Sequence, residues 1–176
     1  KKVVADEICN AAKPLSVSEV LDKAIVGHSM FVSALKFVSD HSIAKESVLS
    51  TAKHIAKLYI AKGKSIENKG KVEDFIASIE EYKNAQKWDN QNTESQDCIN
   101  KVTEKIAEYY YQQGIKFQNT SKDYTKAIEM FEETRKWISE YKDAMSRVYT
   151  IRIGLKIEEL AKNLKATRAE FGKVKS

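Results

Sequence analysis

The chain has 176 residues, long enough for a sizeable core, and its apolar fraction of 42% lies in the globular range, which excludes disorder as the default. One Pro and six Gly leave too few breakers and turn residues for a β-rich fold and favour long helices. The net charge of +5 comes from 30 basic and 25 acidic side chains; 26 of the basic ones are Lys, which argues against a surface built on the Arg fork that reads nucleic-acid phosphates.

Residues 1–13 show little pattern and are expected to fray. Ser16 and Glu19 form a capping box with Leu15 and Val20 as its hydrophobic staple, which predicts a helix start. Val17, Val20, Leu21, Ala24, Ile25, His28, Phe31, Leu35 and Val38 then follow helical spacing. Gly27 costs this helix about 1 kcal/mol relative to Ala and marks a close helix crossing. Asp40-His41-Ser42 reads as a turn. The next helix carries Val48, Ala52, Ile55, Ala56 and Tyr59 and ends near Gly63, with a polar loop over Lys64–Lys71. Phe75, Ile79, Tyr82, Ala85 and Trp88 line a third helix, and Thr93 with Gln96 offers a capping box for a fourth along Ile99, Val102, Ile106, Tyr109 and Tyr110. Asn119-Thr120-Ser121 breaks that helix. Tyr124, Ala127, Ile128, Phe131 and Trp137 form a fifth. A sixth begins at Tyr141, Ala144, Met145, Val148, Ile151 and Leu155 and runs through Leu160 and Leu164, with 167–176 polar and loose. The expectation is all-α, with about six helices in stacked antiparallel hairpins and a single domain over 1–176.

The chain contains itself twice. Asp74-Phe75-x-x-Ser78-Ile79-Glu80-x-Tyr82-x4-Lys87-Trp88 returns 49 residues later as Asp123-Tyr124-x-x-Ala127-Ile128-Glu129-x-Phe131-x4-Lys136-Trp137. Tyr59-x3-Gly63 matches Tyr110-x3-Gly114 at an offset of 51, and Asp97-Cys98-x2-Lys101-Val102 matches Asp143-Ala144-x2-Arg147-Val148 at 46. A fainter first copy aligns Phe31 with Tyr82 and Phe131, and Lys36-Phe37 with the two Lys-Trp pairs. Repetition at this scale is the signature of stacked helical units, here approximately 16–63, 64–114 and 115–165.

Tyr110-x2-Gln113-Gly114-x2-Phe117 followed by Tyr124-x2-Ala127-x3-Phe131 resembles the tetratricopeptide-repeat family. Tyr59, Gly63, Phe75, Ser78, Tyr82 and Ala85 give the earlier copy, and Glu140-Tyr141-Lys142-Asp143-Ala144 looks like a variant common in bacterial repeat proteins. The resemblance covers residues 46–145 best. It departs from the family in period, near 50 rather than about 34, and in lacking a Pro near the repeat end. It implies a superhelical array whose first helices line a concave groove that holds a peptide or helix of another protein without catalysis. The groove positions it implies are Lys57, Ile60 and Lys64 in one copy and Glu108, Tyr111 and Ile115 in the next. The family's carboxylate clamp of Lys and Asn is not carried over, because Ile60, Tyr111 and Ile115 break its pattern. Tyr111 also has a second reading, as packing between helices.

Catalytic and metal signatures do not appear. His28, His41 and His54 are 13 residues apart, so no two share a helix face at ligand spacing, and His28 reads as a core histidine. Nucleotide-binding, hydrolase and EF-hand motifs are missing, and adjacent Glu pairs point about 100° apart. No cofactor or metal is expected. Cys9 and Cys98 read as unlinked thiols. No apolar run reaches the roughly 18–20 residues of a membrane span. Neither a cytoplasmic nor an exported location is favoured. Residues 146–176 carry 8 basic and 3 acidic side chains. Arg147, Arg152, Lys156, Lys162, Lys165 and Arg168 therefore form a candidate basic patch for an acidic polymer or membrane surface, against the plainer reading of a solvated Lys-rich face.

Overall fold

The computed structural model describes residues 1–174. It is all-α: α1 (Lys2–Ser16), α2 (Leu21–Phe37), α3 (Ser42–Glu67), α4 (Val72–Trp88), α5 (Thr93–Lys116), a π-helical turn (Phe117–Ser121), α6 (Tyr124–Trp137) and α7 (Ala144–Val174). The chain divides into two compact units, Lys1–Val102 and Thr103 onward, with the division inside α5.

Among the described residues seven α-helices stand in place of the expected six. Residues 2–16 do not fray; they form α1, which buries Ala5, Cys9, Ala12 and Ser16. These positions fall on one helical face, but small side chains make it. Ser16 does not open a helix either. It sits in the last turn of α1, with its hydroxyl donating to the Lys13 carbonyl at 2.9 Å. Pro14 is tolerated inside that turn. The next helix starts at Leu21, after Ser18 accepts from the Val20 N–H. The close crossing at Gly27 is there: a Cβ on it would lie 2.5 Å from the Ser16 backbone nitrogen.

In the first unit α2 packs on α1 and α3, and α3 on α4. One core cluster joins Ala5, Cys9, Ala12, Phe31, Ala34 and Ala44. Farther along, Ile55, Ala56, Ile79, Tyr82 and Ala85 are buried. The His41 imidazole caps α3, with Nδ1 accepting from the Ala44 N–H at 3.3 Å and Nε2 lying 2.9 Å from Asp6 of α1. His28 is half-buried edge-on to Trp88, with centroids 5.0 Å apart, and burial lowers its pKa. The expected loop over 64–71 shrinks, because α3 continues to Glu67 and the chain turns at Gly70 with φ +82°. Asn92, rather than Thr93, caps α5 by accepting from the Ser95 N–H at 2.9 Å.

In the second unit α5 ends in the π turn and Lys122 takes a left-handed conformation, φ 51°. Asp123 caps α6, accepting from the Lys126 N–H at 3.1 Å. Tyr111, Ala127, Phe131, Ala144, Val148 and Ile151 make its core. The helix expected to loosen after 167 instead continues, and α7 reaches Val174. The last two residues of the expected loose tail lie outside the described residues.

Candidate functional site

The repeated sequence positions have matching surroundings in the two units. A Cβ on Gly63 would lie 2.5 Å from the Tyr82 ring, and a Cβ on Gly114 would lie 2.6 Å from the Phe131 ring. Each aromatic is fully buried on the helix that follows, with a buried Ser78 or Ala127 one turn earlier. Only glycine admits the ring so close to the helix backbone. The α1–α2 pair carries Ala12 and Phe31 in one core cluster. Helices α2, α4 and α6 end alike, at Phe37, Trp88 and Trp137, with an extended residue whose N–H still bonds four residues back, to Ala34, Ala85 and Thr134.

The implied groove positions divide by depth. On α3, Lys57 and Lys64 are exposed, while Ile60 is 3% exposed. Lys64 Nζ lies 2.7 Å from Glu94 and lines an open cleft of about 470 Å³ with Glu67, Thr93, Asp97 and Cys98. The Tyr82 hydroxyl donates to Glu67 at 2.7 Å beside this cleft. Cys9 and Cys98 are both free. Burial, above all, pushes the Cys98 thiol up, so it is not an activated nucleophile.

On α5, Glu108, Tyr111 and Ile115 gather with Arg147 around the α6–α7 connection. Tyr111 is 9% exposed and packs against Phe131 and Tyr141, at 5.8 and 6.0 Å between centroids. Its hydroxyl donates to Asp143 at 2.6 Å. Arg147 also holds Asp143, through Nε at 2.9 Å, and reaches Gln118 at 3.1 Å. Glu108 accepts from Lys142, from the Tyr141 hydroxyl at 2.7 Å and from Gln112 at 2.8 Å. Those donors, Lys142 first, hold its carboxyl down to about 2. Asp143 is likewise lowered, chiefly by the Tyr111 hydroxyl. Lys142 Nζ sits 4.8 Å from the Tyr111 ring centroid and 5.1 Å from that of Tyr141, adding cation–π attraction. Ile115 packs, half-buried, against the core beneath. Sequence reading missed Asp143, Tyr141 and Lys142 as the partners; they lie inside the Glu140–Ala144 segment, which was the available signal.

Chemically this network is a closed set. Each carboxylate is matched by a cation and by tyrosine hydroxyls, and a carboxylate held near 2 is a poor base at neutral pH. Among the described residues no group of three His, Cys, Asp or Glu could hold a metal ion.

The six candidate basic residues lie along α7. Arg147 is half-buried on Asp143, Arg152 pairs with Glu132 at 2.6 Å, and Lys156 pairs with Glu159 at 2.8 Å. Lys162, Lys165 and Arg168 are exposed. No helix among the described residues is long and apolar enough to cross a membrane.

No protein-family model, no curated protein and no solved structure matches this chain.

Proposed function

We propose that this chain is a tetratricopeptide-like helical-repeat module that binds another protein or peptide and carries out no catalysis. The observation that carries the reading is the glycine–aromatic lock, found at Gly63–Tyr82 and again at Gly114–Phe131, where the internal repeat requires it. Two helices locked in the same way at corresponding places favour a scaffold built from units, and such scaffolds present their first helices to partners. The polar network at Glu108 and Asp143 supports the non-catalytic part, since every charged group in it is already engaged. On the first helices the exposed side chains that could meet a partner are Lys57 and Lys64, the latter already paired with Glu94, rather than Ile60 and Tyr111, which are spent on packing.

The reading as a binder of acidic polymer or membrane through α7 gains less support. Three of its six cations already face carboxylates. The test is retention of proteins on the immobilised chain at low and physiological salt, with the Lys57→Glu/Lys64→Glu double variant as control. A partner kept at both salts and lost in the variant supports groove recognition. Retention that collapses with salt and ignores the variant moves the reading to α7.

A further inference from the structure

Helix α7 carries two apolar faces, and the fold covers one of them. Ala144, Val148 and Ile151 point into the core of the second unit. At about 100° per residue that stripe continues through Leu155 to Lys162 and Ala169, so it turns polar where the helix leaves the core. Beyond Ile151 every described side chain is exposed. Yet Ile153, Ile157, Leu160, Leu164 and Phe171 are 61, 62, 56, 56 and 68% exposed, and they recur at spacings of four, three, four and seven. They fall within an arc of about 60°, on the side of α7 roughly opposite the core stripe. Continuing the packing that holds the start of α7 therefore cannot cover them.

The width and spacing identify the kind of partner. A seam this narrow at heptad spacing, interrupted once by Thr167, is what one helix presents to another, where a globular core asks for a broader face. The charges decide against an anionic surface. Residues 153–171 carry four basic side chains (Lys156, Lys162, Lys165, Arg168) and three acidic ones (Glu158, Glu159, Glu170), a net of +1.

We propose that the free half of α7 pairs antiparallel with the same segment of a second copy of this chain. With Ile157, Leu164 and Phe171 as one set of seam positions and Ile153, Leu160 and Thr167 as the other, the antiparallel register is self-complementary. Leu160 meets Leu164 of the second copy, Ile153 meets Phe171, Ile157 meets Thr167, and the two-fold axis repeats each layer. The flanking positions agree. Lys156 faces Glu170 of the second copy, twice by symmetry, and Ala161 faces itself, where a small side chain lets the helices approach. Within residues 153–171 a parallel pair would set Lys156 against Ala161 and Asn163 against Arg168, with no opposite charges matched there. In the single copy Lys156 has only the surface partner Glu159 to give up. The paired stretch spans about 28 Å, short for a helical pair, so the dimer is expected in the micromolar range.

Sedimentation of the full chain between about 1 and 300 µM tests the proposal. The expected result is a monomer–dimer equilibrium that Leu160→Lys/Leu164→Lys weakens on the order of a hundredfold. The main thermal transition should be retained, since both side chains are exposed in the single copy. Lys156→Glu alone should also weaken the dimer, and adding Glu170→Lys should restore it. A monomer throughout this range overturns the proposal, as does a dimer indifferent to the leucine variants. A dimer that the charge swap fails to restore overturns the antiparallel register. A monomeric chain that binds phosphatidylserine vesicles through the same leucines would assign the seam to a lipid surface instead.

Discussion

At Gly63 and Gly114 one missing carbon makes room for an aromatic ring, as at Gly27 it makes room for the Ser16 backbone. The Tyr82 and Phe131 rings occupy the space a Cβ would need, and both rings are fully buried with little room to retreat. Gly114→Ala should therefore destabilise the second unit by about 1–3 kcal/mol in urea unfolding, despite the better helix propensity of alanine. Pairing it with Phe131→Leu should recover part of the loss, because the second change relieves the clash made by the first. Glu108 gives a prediction with a definite pH window. Its carboxyl titrates at about 2 in the fold against a usual value of 4.5, so the unfolded chain takes up the proton first on acidification. The stability it contributes is fully present above about 4.5 and is lost as pH falls toward 2. Its side chain is 39% exposed, so screening reduces the contribution to about 1 kcal/mol. Glu108→Gln should lower the melting temperature at pH 7 and flatten its fall between pH 5 and pH 2.

At the scale of elements, α1 shows what the sequence made legible and what it hid. The longer helices were readable because Val, Ile, Leu and aromatic side chains repeat at helical spacing along them. The apolar face of α1 is Ala5, Cys9, Ala12 and Ser16, whose periodicity is the same but whose bulk is too small to register as a hydrophobic stripe. The Ser16–Glu19 box was misread for a related reason. It is a local pattern; in the fold Ser16 bonds back to Lys13 in the last turn of α1, and its backbone lies against Gly27. The candidate groove positions are what the resemblance implies, carried between copies by the offset, and neither gives their depth. That Ile60 and Tyr111 point inward follows from which helices they meet, which one sequence does not contain. The link from α1 to α3 was equally invisible: His41 accepts from Ala44 with one nitrogen and meets Asp6 with the other, across 35 residues. His41→Ala should remove both and cost about 1–2 kcal/mol, the scale of a lost helix cap with a part-buried polar contact. His41→Asn, which can still cap, should recover a measurable share of that loss in chemical denaturation.

For the whole molecule, the division inside α5 separates two cores, each with its own tryptophan. Trp88 closes α4 in the first unit and Trp137 closes α6 in the second, both half-buried and so responsive to unfolding. Each unit has a core cluster of its own residues: Phe31 and its small neighbours in one, Tyr111 and Phe131 in the other. A repeat architecture distributes stability over such local contacts, so a lesson learned in one unit need not be felt equally in the next. Single-tryptophan variants, Trp88→Phe and Trp137→Phe, turn this into a measurement. Introducing Gly114→Ala into each should shift the urea midpoint read by Trp137 by more than the midpoint read by Trp88. Equal shifts from both reporters would show that the continuous helix α5 makes the two cores one cooperative unit, and the division would then describe geometry without describing folding.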